Sequence, residues 1–237
     1  MTTLNSNKKI IVTGGNGRFA QVLKKENKKL KIFFPTKKIF NILNINSMKQ
    51  YIKKIKPKYI IHCAGLSRPM DLHVKDINKS INLNIIGTAN VVNVCNDFNI
   101  KLIYFSTGYV YEGKKGNYKE KDAVLPINNY AWSKLGGECS VILYKKSLIL
   151  RIIMCEKPFL HDYAFHDIKT NFIFQDEVAR IIPKILNKKG IINIGGKIQS
   201  VFNFAKKSKK NIQKSSGKKI FPPNPSMNVS KLNKILS

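Results

Sequence analysis

Acidic residues are scarce in this chain of 237 residues, which has 13 Asp and Glu against 43 Lys and Arg and a formal net charge of +30. Only four of the basic residues are arginine, so the excess positive charge comes almost entirely from lysine. Lysine and the abundant asparagine and isoleucine are encoded by A/T-rich codons, and base composition therefore explains the excess. The lysines are spread along the chain without interleaved aromatic residues, so we expect no specific nucleic-acid partner. The charge should still attract anionic small molecules.

Cysteine motifs and long apolar runs are also missing. Cys63, Cys95, Cys139 and Cys155 are widely spaced, without Cys-x-x-Cys or a nearby histidine pair, so we expect free thiols and no metal site. No apolar run approaches the roughly 20 residues of a membrane-spanning helix. The N-terminal residues 1–5 lack the apolar segment of a secretory signal. These absences predict a cytoplasmic protein without a membrane partner.

Short apolar runs alternate with longer amphipathic segments over most of the chain. Strands are predicted at residues 9–13, 30–34, 59–63, 101–106, 147–152 and 190–194. Helices are predicted at residues 17–27, 47–55, 76–98, 130–144, 176–186 and 200–207, with a loop around 222–225 before a last short helix. Near-continuous apolar strands separated by helices predict an α/β fold with a Rossmann-type, doubly wound parallel sheet. We expect a main domain over residues 1–152 and a small C-terminal annex, 153–237, packed on it as one compact unit.

The segment KIIVTGGNGRFAQVL joins the first strand to the first helix through three glycines. Glycine permits a tight turn and lets the backbone approach a diphosphate, which binds the amides at the helix N-terminus. The strand before and the helix after it favour a dinucleotide site over a purely structural turn. The expected cofactor contacts here are Gly14, Asn16, Gly17, Arg18 and Phe19, and residues 1–152 become the NAD(P)-binding domain.

The second strand, in KIFFPTKK, ends without the acidic residue that binds the ribose 2′-hydroxyl in NAD sites. Thr36, Lys37 and Lys38 follow instead, and their hydroxyl and ammonium groups suit a 2′-phosphate. We therefore predict NADP (NADPH) in preference to NAD, with Lys37 as a cofactor contact.

The segment NNYAWSKLGGE places Tyr130 and Lys134 four positions apart, on one face of a predicted helix. In so lysine-rich a chain this spacing also arises by chance, from a surface tyrosine that precedes a surface lysine. Other motifs have to decide between the two interpretations.

Further motifs follow in a recognisable order: IHCAG at 61–65, NIIGTANVV at 84–92, LIYFSTGYVYEG at 102–113, then YAWSKLGGE, FQDEVAR and GIINIGG. Together with TGGNGRFAQ they resemble the extended short-chain dehydrogenase/reductase family and, within it, the dTDP-4-dehydrorhamnose reductases. The resemblance implies NADPH-dependent reduction of the 4-keto group of a nucleotide-linked 4-keto-6-deoxy sugar, in deoxysugar and polysaccharide synthesis. Residues 153–237 would then form the substrate-binding region.

The resemblance also implies roles for individual residues. Thr107, Tyr130 and Lys134 match the catalytic trio, in which the threonine supports the oxyanion and the tyrosine donates a proton. Cys63, Ala64 and Gly65, with Tyr130 and Lys134, match the cofactor-binding residues, and Asn84 matches a structural asparagine. Arg68, Thr107 and Tyr109 are the expected substrate contacts, although Arg68 equally suits a structural salt bridge. Because a phenol of pKa near 10 is a poor acid at neutral pH, we expect Lys134 to lower the pKa of Tyr130.

Two departures from the family pattern leave alternatives open. Gly108 and Tyr109 stand where related sugar dehydratases carry an Asp-Glu pair, which argues against a dehydratase. The segment 153–170 is shorter than the resemblance leads one to expect, which favours an altered sugar, a pocket shared in a homodimer, or no turnover. A nucleotide-sugar epimerase and a non-catalytic NADP-binding regulatory subunit therefore stay open. Polar residues of this segment could contact substrate, but an ordinary polar loop is the preferred interpretation: His161, Asp162, His166 and Asp167.

Overall fold

The computed structural model describes residues 8–237 and is built around a six-stranded parallel sheet. The strands of this sheet and of the smaller strand pairs, in chain order, are β1 (Ile10–Thr13), β2 (Ile32–Phe33), β3 (Tyr59–His62), β4 (Lys101–Thr107), β5 (Ser147–Ile152), β6 (Met154–Cys155), β7 (Tyr163–Phe165), β8 (Lys169–Thr170), β9 (Ile173–Phe174), β10 (Gly190–Ile194), β11 (Gln199–Ser200) and β12 (Gln213–Ser215). The helices are α1 (Arg18–Glu26), α2 (Ile45–Ile55), α3 (Leu72–Lys75), α4 (Ile77–Ile81), α5 (Gly87–Asp97), α6 (Asn129–Ile142), α7 (Gln175–Ile185), α8 (Val201–Lys206) and α9 (Ser230–Leu236).

The main sheet has the strand order β10-β5-β4-β3-β1-β2, and its neighbouring strands pair in parallel. From β1 the chain moves outward to β2 and then crosses to β3 on the other side of β1. This change of direction is the topological switch point of a doubly wound sheet. The predicted Rossmann-type fold class is confirmed.

Alternating residues of the strands pack into separate cores on the two faces of the sheet. Ile10 and Val12 of β1 belong to the core that contains Phe19 and Leu23 of α1. Ile11, between them, belongs to the core formed with α2 and α5, which contains Met48. Because helices cover both faces, the strands are apolar at nearly every position, and their sequences could be recognised.

Two elements differ from the predicted bounds for local reasons. β2 has two residues instead of the predicted 30–34, because Leu30 lies in a turn, where its N–H donates to Asn27 O at 3.1 Å, and Pro35 has no N–H for a ladder. The predicted helix 76–98 is one helical run, but its middle five residues, Asn82–Ile86, form a π-helical turn between α4 and α5. Such turns often lie at functional sites.

The C-terminal part contributes to the main sheet as well as forming small pairs of its own. β10 pairs with β5 at the edge of the main sheet, and α7 packs against α1. Short strands form the pairs β6–β9, β7–β12 and β8–β11. A separate apolar cluster joins residues of these strands, such as Phe174, to Phe202 and Phe204 of α8.

The described residues include no helix that is long and apolar enough to cross a membrane. The four cysteines are free thiols, and within residues 8–237 no three His, Cys, Asp or Glu side chains are grouped as metal ligands. The N-terminal segment, for which we expect no secretory signal, lies outside the described residues.

Candidate active site

The sheet order reverses between the carboxyl ends of β1 and β3, which pair in parallel. We call the place between the turn that follows β1 and the turn that follows β3 the β1/β3 crevice. Open α/β sheets bind their ligands at this position.

The turn after β1 brings its backbone close to both neighbouring strands. Gly14 has φ +68°, and a Cβ there would lie 3.0 Å from the Cα of Ala64. A Cβ on Gly15 would lie 2.5 Å from the carbonyl carbon of Phe34, so a side chain at Gly15 would collide with backbone. Helix α1 begins directly afterwards, with no side-chain cap at Gly17 and no acidic residue in its first turn. The first amides of α1 are therefore suited to an anion.

The expected cofactor residues of this turn fall into two groups. Asn16, Gly17 and Arg18 are exposed at the start of α1. The side chain of Phe19 is only 7% exposed and packs on Phe105, with ring centroids 5.0 Å apart, so only its backbone is available to a ligand. Lys37 is exposed in the loop after β2, which the bond from Gly15 N to Pro35 O (3.2 Å) holds against the glycine turn.

A buried chain of hydrogen bonds fixes the turn after β3. His62 lies between two hydroxyls, with Nδ1 2.8 Å from Thr13 Oγ1 and Nε2 3.1 Å from Thr88 Oγ1. The same Thr13 oxygen accepts the N–H of Ala64 at 2.9 Å. Cys63 and Ala64 are half-buried and Gly65 is exposed, so this turn forms the second wall of the crevice.

His62 should make the protein less stable as the pH is lowered. Burial, helped by the charge of Lys134, lowers its pKa from 6.5 to about 3, so between these values the unfolded chain binds the extra proton. The contribution of His62 to the free energy of unfolding is fully present above pH 6.5. It declines as the pH falls below 6.5, by at most about 1.4 kcal/mol per pH unit. Urea unfolding at pH 7, 6 and 5 measures the slope. The slope should be shallower in His62→Gln than in the wild type. Equal slopes would show that His62 does not cause the pH dependence. His73, whose pKa is also lowered by burial, contributes equally to both proteins and does not affect the comparison.

Asn84, in the π-helical turn, ties the crevice to α6. Its Oδ1 accepts the N–H of Leu66 at 2.7 Å, and its Nδ2 donates to Leu66 O and to Ser133 Oγ, both at 2.8 Å. A Cβ on Gly65 would lie 2.7 Å from Asn84 Oδ1, so the asparagine fills the space that glycine leaves. Ser133 lies on α6 between Tyr130 and Lys134, and its position is thereby fixed relative to the crevice.

Thr107 and Tyr130 lie together at the carboxyl end of β4. Thr107 is the last residue of the strand and is 3% exposed, and its hydroxyl is close to the half-buried phenol of Tyr130. Burial raises the pKa of Tyr130 to about 12, while the Thr107 hydroxyl and the Arg68 guanidinium act in the opposite direction. The phenol is therefore protonated at neutral pH, as a proton donor must be. Tyr109, two residues after Thr107, is half-buried, and burial raises the pKa of its phenol too.

Lys134 lies one helical turn after Tyr130 and is 8% exposed. Its Nζ is 4.2 Å from the ring centroid of Tyr104, a cation–π contact. Burial lowers the pKa of Lys134 to about 7, although Cys63 and Glu138 act to raise it. The expectation that Lys134 lowers the pKa of Tyr130 is thus not met. Burial has the largest effect on the pKa of the phenol, and the Lys134 amine is only partly protonated at neutral pH.

Two groups that no sequence motif indicated also hold this site. His73, which is 2% exposed, packs its imidazole against the ring of Tyr130 with centroids 5.2 Å apart, and its Nδ1 is 2.7 Å from Ser80 Oγ. Behind Lys134, Glu138 accepts a hydrogen bond from Ser106 at 2.6 Å and forms a buried ion pair with Arg151 at 2.5 Å. Glu138 ends the motif YAWSKLGGE, but nothing in that motif specifies Ser106 or Arg151 as its partners, and His73 lies in no quoted motif.

Arg68 forms the salt bridge that was one of its two sequence interpretations. Its guanidinium donates to both carboxylate oxygens of Glu156, at 3.0 and 3.3 Å. The polar residues of the segment 153–170 contact other residues of the C-terminal part of the chain. Asp162 pairs with Lys209 at 2.6 Å, and Asp167 accepts the N–H of Gly217 at 2.8 Å. His161 packs its ring on Phe159, and the N–H of His166 donates to Ser215 O at 3.0 Å.

Comparison with known proteins identifies one family. The family model described as RmlD substrate binding domain matches residues 8–155. A dTDP-4-dehydrorhamnose reductase of Aggregatibacter actinomycetemcomitans is 28% identical over 148 residues, which cover 60% of this chain and 50% of the relative. Methionine adenosyltransferase 2 subunit beta of Danio rerio is 31% identical over 144 residues, which cover 57% of this chain and 44% of the relative. The matched part of the chain thus spans half or less of the length of these relatives.

Solved structures extend the likeness to nearly the whole chain. A dTDP-4-dehydrorhamnose reductase of Bacillus anthracis, solved in complex with NADP, has a TM-score of 0.85 and 25% identity, covering 96% of this chain and 92% of its own. A hypothetical dTDP-4-dehydrorhamnose reductase of Sulfolobus tokodaii has a TM-score of 0.81 and 23% identity, covering 97% and 95%, and shows the shared fold. The resemblance drawn from the sequence motifs is confirmed.

Proposed function

Since this chain belongs to the RmlD substrate-binding-domain family, we propose that it reduces the 4-keto group of a nucleotide-linked 4-keto-6-deoxy sugar with NADPH, in deoxysugar and polysaccharide synthesis. The observation that carries the proposal is the meeting of Thr107 and Tyr130 at the end of β4, with Lys134 one turn along α6. Relatives named as dTDP-4-dehydrorhamnose reductases, one of them solved with NADP, support the choice of substrate class and cofactor.

The β1/β3 crevice fits a dinucleotide. Its first wall is glycine backbone that faces the uncapped N-terminus of α1, and this suits a diphosphate. Asn16, Gly17, Arg18 and the backbone of Phe19 would hold the diphosphate, and Gly14 lets the two walls approach. The half-buried second wall, Cys63 to Gly65, would line the rest of the cofactor.

Lys37 is the residue that favours NADPH over NADH in this proposal. It lies in the loop that contacts Gly15, and its ammonium could bind a 2′-phosphate. When bound, the reduced nicotinamide supplies the hydride that the ketone carbon receives.

The residues of the chain would manage the oxygen and its proton. Thr107 would donate a hydrogen bond to the carbonyl oxygen and stabilise the negative charge that develops there. Tyr130, neutral at physiological pH, would transfer its proton to that oxygen and recover a proton from solvent. Lys134, one turn along α6, would hold the cofactor ribose. Tyr109 and Arg68 would contact the sugar and its diphosphate.

Residues 1–152 would hold the cofactor and residues 153–237 would contribute most of the substrate-binding surface. β10 pairs in the main sheet and α7 packs in the core on one of its faces, so the two parts share one core. A single folded unit of this kind supports the proposal that the cofactor and the sugar share one crevice, with the sugar bound on the side formed by residues 153–237.

A cofactor-binding subunit of another enzyme is the second candidate. Several relatives are named methionine adenosyltransferase 2 subunit beta, including that of Danio rerio. Such a subunit would bind NADPH without consuming it, and an epimerase of the same superfamily would convert a sugar without net oxidation of NADPH.

The proposed function is tested by following the absorbance of NADPH and NADH with purified protein and a panel of dTDP-, GDP- and UDP-linked 4-keto-6-deoxy sugars. We expect one sugar class to support consumption of cofactor, faster with NADPH than with NADH. Tight binding of NADPH without consumption across the whole panel would favour the subunit instead.

A further inference from the structure

Three charged side chains from separate elements meet at the mouth of the β1/β3 crevice. Arg18 is the first residue of α1, Arg68 lies in the loop after β3, and Glu156 follows β6. Arg68 binds both carboxylate oxygens of Glu156, at 3.0 and 3.3 Å, and Arg18 Nη1 lies 3.6 Å from Glu156 Oε1. One carboxylate therefore connects the glycine-turn side of the crevice to the opposite wall.

The charges of this group are unbalanced. Two guanidinium groups share a single carboxylate, and the Arg18 and Arg68 side chains are 54% and 39% exposed while Glu156 is 17% exposed. The positive groups thus face solvent at the mouth, and the negative group lies behind them. In a chain with 13 acidic residues and four arginines, this point brings together two of those arginines.

The group is also close to the reacting residues. The charge of Arg68 lowers the pKa of Tyr130 and of Tyr109, against the larger effect of burial on each. A ligand that reaches the phenol therefore passes within range of the guanidinium. A diphosphate ester offers two negative charges and several acceptor oxygens to a pair of guanidinium groups, where a carboxylate offers one charge and two oxygens.

We propose that Glu156 is a displaceable counter-ion that holds Arg18 and Arg68 together across the mouth of the crevice until the diphosphate ester of an entering ligand replaces it. The inference rests on the proposed function, because the ligand is either NADPH or a nucleotide sugar and both carry a diphosphate. Glu156 then sets the affinity for that ligand, since each binding event must break the ion pairs of the carboxylate. Glu156 thus tunes the affinity for the diphosphate, and the arginines are the diphosphate contacts.

Removing the charge of Glu156 should therefore tighten binding. Glu156→Gln should bind the diphosphate ligand up to about fivefold more tightly, on the scale of one partly exposed ion pair. Glu156→Asp, whose shorter side chain reaches the arginines less well, should give a smaller gain of the same sign. Arg68→Gln should weaken binding, and Arg68→Gln combined with Glu156→Gln should lose most of the gain, because the two residues act through one contact.

Glu26→Gln is the matched control. It makes the same substitution and changes the net charge by the same amount, and Glu26 also pairs with an arginine, Arg180 at 2.9 Å, with a similar side-chain exposure of 21%. Glu26 lies at the far end of α1 from the crevice, so the variant should bind ligands as the wild type does.

The experiment measures dissociation constants of the wild type and the variants at low salt, by fluorescence titration with NADPH and by calorimetry with dTDP-glucose. Tighter binding of NADPH by Glu156→Gln assigns the displaced contact to the cofactor diphosphate, and tighter binding of dTDP-glucose assigns it to the sugar nucleotide. Binding that is unchanged or weaker for both ligands in Glu156→Gln and Glu156→Asp overturns the inference alone. A wild type that binds neither ligand overturns the proposed function and the inference together.

Discussion

Tyr130→Phe should lower kcat for sugar reduction by about 10²- to 10⁴-fold, the usual contribution of a positioned general acid. Phenylalanine keeps the ring that packs on His73, so the shape of the site should be preserved and only the proton is lost. The dissociation constant for NADPH should therefore change little. Steady-state kinetics with the preferred sugar, together with a titration of NADPH, separates these two effects.

Tyr144→Phe is the control for this substitution. Tyr144 follows α6, and its hydroxyl donates to the carbonyls of Cys95 and Ile100, at the end of α6 remote from Tyr130. Its loss should lower stability by about 1 kcal/mol and leave kcat unchanged. If Tyr130→Phe keeps more than a tenth of the wild-type kcat, Tyr130 is not the proton donor.

Glu138→Gln should lower the free energy of unfolding by about 3–5 kcal/mol, because it leaves the Arg151 guanidinium buried without its counter-charge. Both side chains are at most 5% exposed and they lie 2.5 Å apart. Arg151 also donates to Tyr111 OH at 2.8 Å, and Tyr111 OH in turn donates to Asn193 Oδ1 at 3.0 Å, so the network links α6, β5 and β10. Its rupture should loosen the support of α6, the helix that carries Tyr130 and Lys134.

Urea unfolding measures this loss, and Glu26→Gln is again the control. The exposed pair between Glu26 and Arg180 should contribute at most about 1 kcal/mol. Equal midpoints for Glu138→Gln and Glu26→Gln would show that the buried network contributes no more to stability than a surface ion pair.

Much of the fold could be predicted because burial on both faces leaves a direct mark on the sequence. The strands β1, β3, β4, β5 and β10 are short runs of apolar residues, and each was recognised within a residue or so of its bounds. The short strands β6 to β9, β11 and β12 were missed, because two or three residues carry no periodicity and pair only where the tertiary structure brings them together.

The candidate site shows the same division. Thr107, Tyr130 and Lys134 could be named because they lie in motifs, but their environment could not. The pKa of Lys134 follows from burial over Tyr104, and the salt bridge of Arg68 joins residues 88 positions apart. Contacts of that kind depend on the folded chain, and a single sequence does not record them.

Transfer of deuterium is the most direct test of the proposed reduction. Purified protein would be given NADPH deuterated at the transferable C4 position and the sugar that supports its consumption, and the product would be analysed by mass spectrometry and NMR. Hydride transfer from the cofactor should place one deuterium at C4 of the sugar for each NADPH oxidised. A converted sugar without deuterium, or bound NADPH that is never oxidised with any sugar of the panel, would contradict it.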